Sequence, residues 1–198
     1  YVLKAAREGK EETSWLNPHE AYEAGVNAFI AKILDPAVSG DFLSSLQTLA
    51  ERLARLGALN SLSQLTLKAT LPCLPNFNQG PEFWALSLVA PDTRRPVDFA
   101  ARKAILAAIA QPDWADLTAQ WPDGRLKLAW TRRLLALRNE MAGVFAEGDY
   151  QPLEVTGPHS DHVIAFARRH DRDAAIIIAG RLFAPLTQGG REWPSGET

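Results

Sequence analysis

The sequence predicts an α+β chain in which a mostly helical part, residues 1–144, is followed by a small antiparallel β domain, residues 145–198. Before residue 145, apolar residues recur at the three- and four-residue spacing of amphipathic helices. After it, three short apolar segments are separated by turn-forming residues, which is typical of antiparallel strands. The composition, 46% hydrophobic and 22% charged, is that of an ordinary globular protein.

Capping residues, prolines and glycines place five helices in the first part. Their expected bounds are Asn17 to Pro36, Asp41 to Gly57, Ser61 to about Thr70, Pro96 to about Ile109, and Leu126 to Met141. Residues 71–79 are predicted to form a short strand, because their two prolines allow only a few residues of regular ladder. Residues 80–95 are expected to form a loop, and 112–124 a connector.

Three strands are predicted in the second part, separated by segments rich in Gly, Pro, His and Asp. They span Tyr150 to Val155, His162 to Ala167, and Ala174 to Ala179. Both ends of the sequence suggest a fragment of a longer protein. Tyr1 lies in a segment of helical character without an initiator methionine, and the last ten residues are turn-forming.

Charge and cysteine content exclude several classes of function. The net charge is −2, with 21 basic and 23 acidic residues interspersed, so nucleic acid and anionic membranes are not expected as partners. No apolar stretch approaches the roughly 20 residues of a membrane span, and we expect a cytoplasmic protein. Cys73 is the single cysteine, expected to be a buried, inert thiol, and the histidine spacing matches no metal motif.

Polar and aromatic side chains are concentrated directly after the predicted strand 71–79. Amide groups, a carboxylate and an indole at the carboxyl end of a strand suit the sugar-binding mouth of a barrel. The predicted substrate-binding residues are Asn78, Gln79, Glu82, Trp84, Arg94, Arg95 and Asp98.

Each of these residues also has a purely structural interpretation. Asn78 and Gln79 could satisfy backbone groups of a turn, and Trp84 could belong to the core. Glu82 could be a structural hydrogen-bond acceptor. The pair Arg94–Arg95 could bind Asp92 and Asp98 instead of a saccharide.

Several motifs occur in an order that points to one family. They are Thr13-Ser-Trp-Leu-Asn-Pro-His-Glu-Ala-Tyr-Glu23, Leu59-Asn-Ser-Leu-Ser-Gln64, Ser87-Leu-Val-Ala-Pro-Asp-Thr-Arg-Arg-Pro-Val-Asp98, Asp123-Gly-Arg-Leu-Lys127, Phe145-Ala-Glu-Gly-Asp-Tyr-Gln-Pro-Leu153 and His162-Val-Ile-Ala-Phe-Ala-Arg168. Together they resemble the malto-oligosyltrehalose synthases of the α-amylase superfamily.

The resemblance implies an isomerase that converts the reducing-end α-1,4 linkage of a malto-oligosaccharide into an α,α-1,1 linkage. The chain would be its C-terminal fragment, comprising a helical portion of a (β/α)8 barrel and part of a β domain. The family's catalytic acids would lie before residue 1, so the chain alone is predicted to be inactive, with no catalytic residue, metal or cofactor. Its expected partners are the malto-oligosaccharide, through the parent enzyme, and the rest of the barrel or a second copy.

The chain departs from the family pattern at the strand end that should face the substrate. Asn76, Asn78 and Pro81 stand where the family has Asp, Tyr and Thr, and Cys73 stands where it has Gly. These changes favour an alternative, a stand-alone interaction or carbohydrate-binding module without chemistry. A glucanotransferase or hydrolase of the same superfamily is a third interpretation, which the motif ending at Asp98 argues against.

Overall fold

The computed structural model describes residues 1–86 and 96–194. The described residues fall into two compact units, of which the first covers residues 1–53 and the second begins at Ala54. The predicted class is confirmed in outline: most of the regular structure is helical, and a small antiparallel sheet follows the main helices. The domain boundary at residue 145 stays a prediction.

The first unit contains α1 (Val2–Gly9), α2 (Glu20–Ile33) and the beginning of α3 (Pro36–Thr70). The buried Glu23 of α2 accepts hydrogen bonds from Arg7 Nε at 2.8 Å and from Thr13 Oγ1 at 2.6 Å. These bonds tie α1 and the intervening turn to α2.

The prediction that Asn17 caps α2 is wrong. The cap is His19, whose Nδ1 accepts from the backbone N–H of Tyr22 at 3.0 Å. The backbone of Asn17 instead closes a turn with Ser14, accepting from the Ser14 N–H and donating to the Ser14 hydroxyl. The backbone groups of Asn17 are therefore already hydrogen-bonded in this turn before the helix begins.

The two predicted helices Asp41–Gly57 and Ser61–Thr70 are one helix, α3, so the predicted end at Gly57 and the predicted start at Ser61 are wrong, while the end at Thr70 is confirmed. Its one non-helical residue is Ser39, where the chain kinks. A Cβ at Gly57 would meet no atom within 4 Å, so this glycine imposes no turn. Beyond Gly57, the buried residues Leu59, Leu65 and Ala69 extend the packed face. Packing therefore outweighs the weak stop signals of a glycine and a serine.

The second unit contains the rest of α3 and the helices α4 (Phe99–Ala108), α5 (Trp114–Ala119), α6 (Arg125–Glu140) and α7 (Ala142–Ala146). The prediction of α6 is confirmed. Helix α4 begins at Phe99, capped by the Asp98 carboxylate, rather than at Pro96. The predicted connector contains α5, which Asp113 caps.

The sheet consists of β1 (Asp149–Pro152), β2 (Val163–His170) and β3 (Asp173–Gly180), in the order β1-β2-β3 and antiparallel throughout. Phe166 pairs with Ile177 across β2 and β3, and both pack with Phe145. Because side chains alternate between the two faces of a strand, Ile176 and Ile178 lie on the opposite face. Their side chains are 69% and 68% exposed.

Residues 71–79 form no strand, contrary to the prediction. Pro72 and Pro75 have no N–H to donate to a ladder, and Leu74 is 96% exposed. Cys73 is exposed as well, so the prediction of a buried thiol is also wrong. Within the described residues, no helix has the length and apolar character to cross a membrane.

Candidate functional site

A cleft of about 420 Å³ lies between α3, α6 and the segment 77–82 of the second unit. The α6 contributors follow one another four residues apart, and those of α3 lie within two turns at positions 61, 64, 65 and 68, so each helix presents one face to the cleft. The residues that line it are Ser61, Gln64, Leu65, Lys68, Phe77, Asn78, Gln79, Pro81, Glu82, Lys127, Thr131 and Leu135.

Glu82 and Arg102 fix the backbone of the segment 77–82. The Glu82 carboxylate accepts from the Gly80 N–H at 3.0 Å and from Arg102 Nε at 2.9 Å. Arg102 also donates to the Gly80 carbonyl at 2.8 Å. Gly80 has φ +100°, a conformation that side-chain-bearing residues rarely adopt. The Glu82 carboxylate and the Arg102 guanidinium therefore hold the backbone of the segment at Gly80.

The same contacts keep Glu82 ionised. Burial raises the pKa of the carboxyl, but hydrogen bonds from its own N–H, from Arg102 and from Gly80 outweigh burial and hold the pKa below its ordinary value. A general acid must be protonated at the working pH. Glu82 is therefore suited to structural acceptance of hydrogen bonds and not to acid catalysis.

Two lysines contribute positive charge to the cleft. The Lys68 ammonium lies 4.3 Å from the centre of the Phe77 ring. Lys127 donates to the Phe83 carbonyl at 3.2 Å and lies 5.6 Å from the Trp84 ring. Burial, and then the charge of Lys68, lower the pKa of Lys127. Both ammonium groups are donors that accept no hydrogen bond, which suits them to oxygen atoms of a ligand.

Trp84 is anchored to the protein and half-buried. Its Nε1 donates to the Trp121 carbonyl at 2.6 Å, and the two indoles meet edge to face at 5.9 Å. Trp121 in turn meets Trp193 at 6.2 Å. Trp84 therefore borders the cleft through Lys127 as part of an aromatic cluster.

The structure brings together some of the predicted site residues and separates others. Asn78, Gln79 and Glu82 line the cleft, and Trp84 borders it. Asp98 caps α4, where its carboxylate accepts from the Ala101 N–H at 2.8 Å. Arg94 and Arg95 lie outside the described residues. Substrate binding by these residues stays a prediction.

Nine of the twelve lining residues were not predicted from the sequence, among them Gln64 and Lys68 on α3, Phe77, and Lys127 on α6. The available signal was a polar residue among apolar ones, at Lys68 one turn after Leu65 and at Lys127 between Leu126 and Leu128 in the sequence. That signal alone does not distinguish a cleft from a solvent-exposed edge.

The described lining of the cleft contains one carboxylate, that of Glu82. A retaining glycosidase requires two carboxyl groups about 5 Å apart. Glu82 is the one carboxylate among the lining residues that the structure describes, and it is already engaged. Amides, ammonium groups and an aromatic ring remain available to a ligand rich in hydroxyl groups.

Comparison with known proteins identifies the relatives of the chain. No family model matches it. Maltooligosyl trehalose synthases from two strains of Mycobacterium tuberculosis are 36% identical over 190 residues, which is 96% of this chain and 22% of the relative. The chain thus spans about a fifth of the length of the curated relatives that it matches.

Solved structures agree with the sequence relatives. A crystal structure of a maltooligosyl trehalose synthase superimposes with a TM-score of 0.79 at 30% identity, over 90% of this chain and 23% of that chain. The synthase of Arthrobacter ramosus matches with a TM-score of 0.74 at 32% identity, over 94% of this chain and 23% of that chain. The resemblance that the motifs indicated is confirmed.

Proposed function

We propose that this chain, which corresponds to a segment of the maltooligosyl trehalose synthases, is a non-catalytic part of an enzyme that isomerises malto-oligosaccharides. The enzyme would convert the reducing-end α-1,4 linkage into α,α-1,1 and so leave a trehalose unit at the chain end. The observation that supports this most strongly is the similarity over 96% of the chain, at 36% identity, to synthases of that name.

The proposed role of the cleft is to hold glucosyl units without reacting with them. Its volume of about 420 Å³ lies in the range of small-molecule sites. Asn78 and Gln79 supply amide groups, and Lys68 and Lys127 supply N–H donors for hydroxyl oxygens. The half-buried Phe77, which lines the cleft, offers an apolar surface for a pyranose ring. Such contacts bind and orient a sugar and exclude water from it.

The proposed division of labour follows from the chemistry of the isomerisation. A nucleophilic carboxylate and an acid–base carboxyl would cleave the terminal linkage. The released glucose must then turn and offer its anomeric hydroxyl before water attacks the intermediate. We assign the two carboxyl groups to the remaining polypeptide and the exclusion of water to walls such as this cleft. In this proposal α3 to α6 belong to the wall of a (β/α)8 barrel, and β1 to β3 to a C-terminal β domain.

The test is an assay of the native gene product that contains this sequence. With maltopentaose, the proposal expects reducing ends to disappear without stoichiometric release of glucose, and the 198-residue chain alone to give no product. Release of glucose as the main reaction would indicate a hydrolase and contradict the proposal. No reaction by the native gene product would contradict it as well, and retained sugar binding would then favour the stand-alone module.

A cleft variant tests the binding role separately. Gln79→Ala removes an exposed amide that makes no hydrogen bond within the described residues, so stability should hold while KM rises. Loss of one hydrogen bond corresponds to about a fivefold rise in KM with little change in kcat. Gln111→Ala, also exposed but away from the lining residues, is the matched control. An equal effect of both variants, or none, would exclude Gln79 from the site.

A further inference from the structure

Helix α3 carries an uncovered apolar stripe that the proposed function does not use. The stripe, hereafter the α3 stripe, consists of Phe42, Leu46, Leu49 and Leu53. These side chains are 41% to 55% exposed. Their spacing of four, three and four residues places them within an arc of about 60° on the helix. A row at this spacing is the seam by which one helix packs against another.

The opposite side of the same helical stretch is polar. Ser44, Gln47, Thr48 and Glu51 are all exposed there, and Gln47 bonds to Glu51 along the helix. This part of α3 is thus amphipathic but has solvent on both its polar and its apolar side. Helices owe most of their stability in water to the packing of an apolar face. The stretch therefore requires a partner along the α3 stripe.

The location of the exposed apolar residues argues against a second copy as the partner. Beyond the α3 stripe, Leu74 and Leu86 are 96% and 88% exposed, and Ile176 and Ile178 are uncovered on the outer face of the sheet. A two-fold contact between copies covers one patch of each chain. Several apolar surfaces on different elements call for a polypeptide that surrounds the chain.

We infer that the α3 stripe is the seat of an apolar helix from the remaining polypeptide of the synthase. This rests on the proposed function only in requiring a longer parent. The synthases have that polypeptide, since the chain spans 22% of the curated relatives. The expected occupant presents leucine-like side chains at the same spacing and no charge toward Leu46 and Leu49, because a charge there would be buried without a partner.

The experiment is thiol labelling of the native gene product. Cys73→Ser first removes the exposed native thiol of this segment. Leu49→Cys then reports on the α3 stripe, and Ser44→Cys, on the polar face of the same helix, is the matched control. Peptide-resolved mass spectrometry measures each labelling rate. We expect Cys at position 49 to react at least about 100-fold more slowly than at 44, because labelling requires local opening of the interface.

Two results would overturn the inference. Equal rates at positions 44 and 49 would show that the stripe is open to solvent. Protection of position 49 that disappears on dilution, as a dimer dissociates, would assign the stripe to a second copy. Neither result depends on activity, so the labelling outcome stands apart from that of the reducing-end assay. A protected stripe in an inactive gene product would contradict only the proposed reaction.

Discussion

Glu82 stabilises the protein by holding the backbone of the segment 77–82 that lines the cleft. Its carboxylate receives the Gly80 N–H and the Arg102 guanidinium, and its side chain is 27% exposed. We predict that Glu82→Gln lowers the free energy of unfolding by about 1–3 kcal/mol, because a charge-assisted contact is lost and Arg102 is left without its anion. Chemical denaturation of the wild type and the variant measures this change.

The control for Glu82→Gln is the exposed ion pair Arg133–Glu140, whose closest atoms are 3.4 Å apart. Glu140→Gln should change stability by less than about 1 kcal/mol, as is usual for surface pairs. If both substitutions had the same small effect, Glu82 would not hold the segment 77–82.

Glu23 gives the first unit a dependence on acid. Hydrogen bonds from Arg7, and then from Thr13, lower its pKa to about 2. In the unfolded chain the pKa of Glu23 is higher, near 4.3. The ionised Glu23 therefore stabilises the folded protein fully above that pH. This stabilisation is lost as the pH falls from about 4.5 toward about 2. Thermal unfolding across this range should show a larger loss in the wild type than in Glu23→Gln, in which Glu82 still titrates. Glu20→Gln, an exposed neighbour, should keep the wild-type profile.

Arg168 organises the junction between helices and sheet. It is 1% exposed and donates to the carbonyls of Thr70, Phe145, Gly148 and Asp149. Arg168→Met leaves these buried acceptors without their donor, and we predict a loss of more than about 3 kcal/mol. Arg169→Met, on the exposed face of the same strand, should stay within about 0.5 kcal/mol. Comparable losses would refute the special role of Arg168.

At the scale of elements, glycine 57 shows where local signals lose to packing. The residue suggested the end of a helix, but α3 continues through it, and the space around a new Cβ is empty. Gly57→Ala should therefore stabilise the protein by about 0.5–1 kcal/mol, since alanine loses less backbone freedom in a helix. A rise in thermal midpoint tests this.

The contrasting glycine is Gly124, at the start of α6. It has φ +81°, and an added Cβ would lie 2.9 Å from the Phe83 Cβ. Gly124→Ala should destabilise the protein by about 1–3 kcal/mol through backbone strain.

For the first glycine, destabilisation by Gly57→Ala would mean that α3 is not continuous at that point.

Local sequence predicted those elements whose own pattern is sufficient. Helix α6 and the three strands follow from periodicity and turn residues alone. The continuity of α3 does not, because Leu65 and Ala69 pack with Leu134, which is distant in sequence. The segment 71–79 has strand-like composition, but its prolines prevent regular pairing.

The part of the candidate site that was predictable from the sequence consists of residues that are neighbours along the chain. Asn78, Gln79 and Glu82 are close in sequence, so their shared location followed from the chain itself. Lys68 and Lys127 are 59 positions apart in the sequence and lie on two different helices. Only the fold brings them to one cleft. Asp98 was drawn into the site by its sequence neighbourhood, while the structure uses it as a helix cap.

At the scale of the whole molecule, the two inferences share one premise. The similarity to synthases covers nearly all of this chain but about a fifth of theirs, and its apolar surfaces lack cover. A longer polypeptide would supply both the catalytic carboxyl groups and the partner of the α3 stripe. The proposed isomerisation and the burial of the α3 stripe thus both depend on the size of the native gene product.

The intact mass of the native gene product, measured from its own cells, tests this premise most directly. A mass several-fold above the 21.7 kDa of the chain is the predicted result. It would place the cleft and the α3 stripe inside a synthase-sized protein. A mass close to 21.7 kDa would contradict the account, because no other part of the polypeptide would then exist to supply carboxyl groups or to cover the helix.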